Sequence, residues 1–305
     1  MSNRFWTEEQ TKLLDFNGLR PVYSRVAVLA DAGSGKTSVL VERVKKFLEA
    51  NDSMSRILCV SFTQKSAADL EERLSQFAQV SVDTIHGFCA KIVRESAADL
   101  ELSPVFRIAD STQTSDMFYL AFEKVFCRFP KAFQNQSVQN LLRLCFSARE
   151  LRAGFEVGAD NKDTIEQFIK EVLEEFELSK QRQKTLEYSD LESLALKALR
   201  LPHVRAKLQN RFQHVFVDEF QDTSEVQCEL VQLLSAETSP LFVVGDVKQS
   251  IYRFRGADVR VFENFIKELP VTKRLSFNFL SHAEVIAAVN TVCSQAVVNY
   301  EQMIA

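Results

Sequence analysis

The sequence predicts an α/β chain built on a mostly parallel sheet, and three observations carry that prediction. Short apolar runs that read as strands recur at residues 26–30, 57–61, 80–82, 214–218, 241–245 and 275–277. Segments with helical spacing of apolar residues separate them, which is the alternation that strand–helix–strand crossovers produce. The first run, VAVLA, feeds directly into DAGSGKT, a glycine-bearing turn that opens a helix.

In chain order, that first turn is the most informative. A buried strand ending there leaves several backbone N–H groups converging near the positive end of the next helix, where a polyphosphate fits. Gly33 and Gly35 let the main chain curl close to phosphates, Lys36 reaches β and γ oxygens, and the Thr37 hydroxyl ligates magnesium. The general phosphate-loop pattern has glycine where this chain has Ala30, so the match is to a variant. The competing reading is an ordinary strand-to-helix turn with a surface lysine. The helix that follows, SVLVERVKKFLEA, puts Leu40, Val44, Phe47 and Leu48 on one face, suited to packing on the sheet.

Between residues 111 and 186 the strands vanish, and SDMFYLAFEKVF and TIEQFIKEVLEEFEL show helical spacing. This predicts an all-helical insertion within the sheet domain, with its many phenylalanines as core. The strand at 214–218 ends in acids, and ligands of open α/β sheets sit beyond the carboxyl ends of strands. Asp218 would hold magnesium, directly or through water, and Glu219 would orient and deprotonate an attacking water. The alternative is that both acids cap the following helix. The strand at 241–245 leads into DVKQSIYRFRGAD. Gln249 stands where an amide senses a γ-phosphate, and Tyr252, Phe254 and Arg255 offer surfaces for stacking on bases, worth about 1–3 kcal/mol per base. A packed aromatic corner with a structural ion pair would use the same residues. A last helix spans about 282–298.

At 305 residues and 46% hydrophobic, the chain buries a large core in one or two domains. The start lacks a basic-then-apolar leader, and no apolar run approaches the roughly 20 residues of a membrane helix, so a cytoplasmic protein without a membrane partner is expected. Six cysteines and four histidines are scattered without short paired spacings, which points to reduced thiols and away from zinc or iron–sulfur. The net charge of −4 gives no global sign of nucleic-acid binding, so any DNA contact is local.

Seven blocks follow one another along the chain: TEEQ (7–10), ADAGSGKT (30–37), LCVSFTQKSAADLEERL (58–74), VDTIHGFCAKIV (82–93), LEYSDLESLALKAL (186–199), VDEFQDTSEVQ (217–227) and VGDVKQSIYRFRGAD (244–258). In this order they resemble the N-terminal motor domain of superfamily 1A DNA helicases of the UvrD/Rep type. YSDLE and YRFRGAD tilt the resemblance toward the RecB/AddA helicase–nuclease subunits. The resemblance implies a RecA-like P-loop domain in two parts, 1–110 and 187–272, an inserted helical subdomain at 111–186, and the start of a second motor domain at 273–305. It implies that Gln10 reads adenine and that the loop Ala30, Asp31, Ala32, Gly33, Ser34, Gly35, Lys36 and Thr37 holds the phosphates of ATP. Asp218 and Glu219 would handle Mg2+ and water. Phe62, Thr63, His86 and Phe88 would line the path of single-stranded DNA, with Phe254 as a stacking platform. The implied activity is ATP-driven movement on DNA in repair or recombination.

Two departures bear on that activity. The family pattern NFRS reads NFLS at residues 278–281, so Leu280 replaces an arginine that touches the γ-phosphate; such a residue is worth about 10³–10⁵ in rate. Hydrolysis is expected to be weak and binding retained. Arg274, six residues earlier, would lie about 20 Å away along an extended strand. The family's second motor domain and any nuclease signature lie outside these residues, leaving open a fragment, a degenerate product, or half a motor completed by a partner chain or a second helicase–nuclease subunit. A nucleotide-gated DNA-binding module that never turns over is the competing function. A switch GTPase would need guanine-reading chemistry that is not evident.

Overall fold

The computed structural model describes residues 6–14, 25–50, 56–129, 137–151, 162–236, 239–251, 259–296 and 300–305. By contacts the chain divides into two compact units, residues 1–100 with 192–305, and residues 101–191.

The first unit opens with α1 (Glu8–Leu14), β1 (Arg25–Ala30), α2 (Lys36–Ala50), β2 (Ile57–Ser61), α3 (Gln64–Leu74), β3 (Val80–Thr84) and α4 (Ile85–Glu95). Residues 101–191 contribute β4 (Arg107–Ile108), α5 (Ser111–Phe126), α6 (Val138–Leu151), α7 (Lys162–Gln183), β5 (Thr185–Leu186) and the start of α8 (Tyr188–Arg200). The chain continues through α9 (Pro202–Arg211), β6 (His214–Val217), α10 (Glu225–Leu234), β7 (Leu241–Gly245), α11 (Val259–Glu268), β8 (Val271–Leu275) and α12 (Ala283–Ala296).

Six strands form one sheet in the order β3-β2-β6-β7-β1-β8, and every neighbouring pair is parallel. Parallel strands covered on both faces read as continuous apolar runs, as β2, β6 and β7 do, with every residue buried. The face of α2 that carries Leu40, Val44 and Phe47 is buried in the core with Val26 and Val28 of β1 and Val244 of β7. β1 lies between β7 and the edge strand β8, so its carboxyl end is flanked by neighbours on both sides, at the end of the sheet where ligands of open α/β folds sit.

The helical unit is held by phenylalanine. Phe118, Phe168 and Phe176 are fully buried, and edge-to-face pairs join Phe118 to Phe176 at 5.3 Å and Phe122 to Phe168 at 5.5 Å. Each such ring contributes roughly 1.5–3 kcal/mol through burial. Lys180, almost wholly buried, reaches Glu177 and Asp190 at 2.8 Å and Glu187 at 3.2 Å, while Arg149 also pairs with Glu187. Asp190 in turn accepts from the Glu187 N–H at 2.9 Å, so one ion cluster fixes the start of α8 against α7.

Three sequence expectations need correction. The strand expected at 275–277 is β8 instead, Val271–Leu275, because those residues align with Val26–Ala30 of β1. Past Leu275 the chain leaves the sheet: Ser276 bonds Glu9, and Phe277 bridges Ile304. The boundary expected at residue 273 falls inside β8, which is an edge strand of the first sheet. By contacts the helical unit, residues 101–191, is also wider than 111–186, and it includes β4, a two-residue strand paired with β5 and too short to register as an apolar run.

Candidate nucleotide site

The loop after β1 turns through Gly33 and Gly35, whose φ angles are +70° and +77°. Both lie in the region that side chains disfavour, and a Cβ on Gly33 would stand 2.6 Å from Asn278 Nδ2. Outside groups take the loop's carbonyls: Asn278 Nδ2 donates to Ala32 O at 2.7 Å, the Phe279 N–H to Gly33 O at 3.0 Å, and Gln10 Nε2 to Ser34 O at 3.1 Å. The first N–H groups of α2 have no acceptor within the helix and remain for an anion. The Ser34 hydroxyl is buried inside this cradle without a partner.

Lys36 begins α2 and points at the ends of β6 and β7. Its Nζ donates to Glu219 Oε2 at 2.6 Å and to Gln249 Oε1 at 3.0 Å. The Thr37 hydroxyl donates to Asp218 Oδ2 at 3.1 Å. Asp218 is 1% exposed, and burial, reinforced by the neighbouring Glu219 charge, pushes its pKa up to about 6. Asp222 is pushed up to about 6 for the same two reasons, and its Oδ1 is buried without a partner. Three carboxylates thus crowd around one ammonium. Asp218 and Thr37 form a hard-oxygen pair of the sort magnesium uses when water and phosphate complete its shell, so the residues fit that ion.

Glu219 carries a mark that sequence reading missed. Its φ is +55°, a left-handed conformation that costs a non-glycine residue roughly 1–3 kcal/mol. The one-turn helix Phe220–Asp222 holds it there, anchored by Phe220, fully buried against Phe262 and Phe265. Gln221 Nε2 adds a bond to Glu219 Oε2 at 2.7 Å.

On the other side of the loop lies a cavity of about 550 Å³ whose lining includes Trp6, Gln10, Thr37, Arg73 and Leu280. Gln10 is 5% exposed, and its Oε1 accepts from the Thr7 N–H at 3.1 Å. Arg73 Nη2 donates to Ser38 Oγ at 3.1 Å. Trp6, Arg73 and Asn278 escaped the sequence reading. Asp69 and Arg73, one helical turn apart in SAADLEERL, were the available signal for the α3 side.

The remaining expected residues are placed less uniformly. Ala30 is the buried end of β1. Asp31 is buried with its carboxylate turned to Lys248 at 2.5 Å and Arg274 at 3.1 Å, so its side chain serves an ion pair. Arg274 is therefore beside the phosphate loop, contrary to the extended-strand estimate, because β8 lies alongside β1 and the chain folds back after Leu275. Thr63 caps α3, accepting from the Ser66 N–H at 3.1 Å, and Phe62 beside it is half-buried. His86 Nε2 stands 2.9 Å from Glu192 Oε1. Phe88 is a correction: it is 4% exposed and packs edge-on against Phe212, so its ring belongs to the core. Tyr252, Phe254 and Arg255 lie outside the described residues. Among the described residues, no helix is long and apolar enough to cross a membrane.

A parallel sheet with a glycine phosphate loop after an interior strand, and acids at the end of another, defines the RecA-like class of P-loop domains. The chain belongs to the UvrD/REP helicase N-terminal domain family, whose description matches residues 12–270. It is 31% identical over 278 residues to the ATP-dependent DNA helicase PcrA of Staphylococcus aureus, a match covering 87% of this chain and 37% of that protein. It is 30% identical over 292 residues to the ATP-dependent DNA helicase UvrD1 of Mycobacterium bovis, covering 89% of this chain and 38% of that protein. The chain therefore spans little more than a third of the length of these relatives.

Proposed function

We propose that this chain is the ATP-binding motor domain of a cytoplasmic DNA helicase of repair or recombination, which in the complete protein couples ATP hydrolysis to movement along single-stranded DNA. The observation that carries the reading is the meeting of Lys36 with Glu219 and Gln249 at 2.6 Å and 3.0 Å across one pocket. The family and the names of the PcrA and UvrD1 relatives support it.

In this reading Lys36 exchanges its bond to Glu219 for the β and γ oxygens, while the α2 N–H groups and Ser34 hold the remaining phosphate oxygens. Freed from the ammonium, Glu219 orients a water and accepts its proton, and Gln249 meets the γ-phosphate. Thr37 and Asp218 hold Mg2+, which when bound neutralises phosphate charge as it builds on the leaving oxygens. Gln10 faces the adenine from the cavity rim. Phe62, Thr63 and His86 lie along the DNA path, with Tyr252, Phe254 and Arg255 as the stacking surface. The YSDLE and YRFRGAD blocks favour the RecB/AddA branch. Translocation requires a second motor domain closing on the nucleotide, supplied within the complete protein or by a partner chain.

One observation favours a second reading. Leu280, 85% exposed, stands at the cavity rim where the resemblance calls for an arginine. A domain that binds nucleotide and DNA but turns over negligibly would carry such a residue. Calorimetric titration with ATP–Mg2+ tests the shared pocket: Lys36→Ala is expected to abolish binding, and unchanged affinity would reject both readings. Phosphate release with and without oligothymidylate then separates them, since DNA-stimulated turnover belongs only to the motor.

A further inference from the structure

The YSDLE block takes no part in the nucleotide pocket, yet its last residue sits at a junction. Glu192, on α8 and with its side chain 15% exposed, meets two side chains at a single oxygen, Oε1. His86 Nε2 stands 2.9 Å from it, and Gln227 Nε2 donates to it at 2.6 Å. His86 is the second residue of α4 and its side chain is 27% exposed, so a ligand can reach it. Gln227 is 4% exposed and also engaged at its other end, where its Oε1 accepts from the Ser224 N–H at 3.3 Å while Ser224 Oγ accepts from the Gln227 N–H at 3.3 Å. That reciprocal pair is the capping box that starts α10.

From Ser224 the chain runs back through Thr223, whose hydroxyl donates to Phe220 O at 2.7 Å, into the turn that keeps Glu219 left-handed. Four residues thus separate Ser224 from Glu219, the carboxylate bonded to Lys36. Contacts thus run without a break from His86 to Glu192, to the α10 cap and to the strained turn.

We propose that Glu192 is a positioning residue that relays single-stranded DNA binding at His86 to Glu219 in the nucleotide pocket. The inference rests on the proposed function, since it needs both ligands, and adds to it the part that links them. Neither Glu192 nor Gln227 belongs to the nucleotide pocket or to the proposed DNA path, so the relay predicts loss of communication without loss of either site. A static brace would cost stability alone.

The test is the factor by which saturating oligothymidylate changes the affinity for a non-hydrolysable ATP analogue with Mg2+, read by calorimetry. In the parent this factor is expected in the range of roughly 5–150-fold typical of coupled sites. Glu192→Met and Gln227→Met, which cut the relay from opposite sides of one bond, should each bind either ligand alone as the parent does, with the factor falling towards unity. Glu192→Gln keeps an acceptor oxygen and should restore most of it. If Glu192→Met does not fold, Gln227→Met decides the matter. A parent factor that survives in the folded Met variants overturns the relay alone. A parent whose two ligands bind independently overturns the relay together with the reading it rests on.

Discussion

The phosphate loop has two unlike flanks. Toward β6 and β7 it meets an ion pair and hydrogen bonds to charged groups: Lys36 with Glu219 and Gln249, Thr37 with Asp218. Toward residues 278–280 it is held by amide and backbone hydrogen bonds from Asn278 and Phe279, and the surface there is Phe279 and Leu280, 55% and 85% exposed. The first flank presents an ammonium, carboxylates and a hydroxyl to the pocket. The second fixes the loop's shape through neutral groups, with Leu280 at the cavity rim. Binding and hydrolysis should therefore be separable in this chain.

The strongest way to break that comparison is to give the second flank its charge. Leu280→Arg is expected to raise turnover of ATP by up to roughly 10³-fold, the lower end of what an arginine at the γ-phosphate contributes. Measured as steady-state phosphate release, an unaltered rate would show that the apolar flank is not what limits hydrolysis. Glu219→Gln works from the other flank. It should lower whatever hydrolysis the chain has by about 10²-fold, as loss of a positioned base does, while tightening nucleotide binding because a competitor for Lys36 has been neutralised. Weaker binding in that variant would mean the Lys36–Glu219 bond organises the pocket instead of guarding it.

The charged flank was legible in the sequence and the other largely was not. A lysine after a glycine turn and acids at a strand end are local patterns whose meaning follows from where strands of a parallel sheet place their carboxyl ends. Asn278 and Arg274 act on the loop only because β8 pairs with β1, a long-range register that the short run 271–275, with its Thr272, Lys273 and Arg274, does not announce. The same blindness explains Phe88: a motif resemblance says which residues travel together, whereas which of them face inward depends on the packing of α4 against Phe212. The left-handed turn at Glu219 is invisible for a similar reason, since nothing in glutamate favours it and the buried Phe220 imposes it from the core.

Two glycine substitutions sharpen the contrast in rigidity. In Gly33→Ala the new methyl meets Asn278 at 2.6 Å, and that side chain is locked by bonds to Ala32 O and to the Leu280 and Ser281 N–H groups. In Gly35→Ala the nearest atom is Gln10 Nε2 at 3.3 Å, which can give way. Both incur left-handed strain, so each should lose about 1–2 kcal/mol, with Gly33→Ala the worse. Chemical denaturation of the two variants reads the difference directly, and an equal loss would mean the Asn278 flank is as yielding as the Gln10 side.

The smallest effect concerns the cost of assembling the charged flank, and β6 supplies its own control. His214 starts the strand, 6% exposed, and burial together with the Arg43 charge lowers its pKa to about 3. Its folded pKa lies below the unfolded value near 6.5, so it contributes stability that is present above that pH and lost as pH falls toward 3. Asp218, one residue past the other end, has the opposite sign: raised to about 6, it favours the fold below pH 3.8 and that contribution is lost as pH rises through 6. In metal-free protein the two slopes oppose each other between about pH 4 and 6, each at most roughly 1.4 kcal/mol per pH unit. His214→Leu removes one of them, so stability of the variant should climb relative to the parent as pH is lowered from 6 to 4. Urea denaturation at pH 4, 5 and 6 measures it. Parallel profiles for parent and variant would show that His214 titrates alike in the folded and unfolded chain, and the strand would then have only one electrostatically costly end.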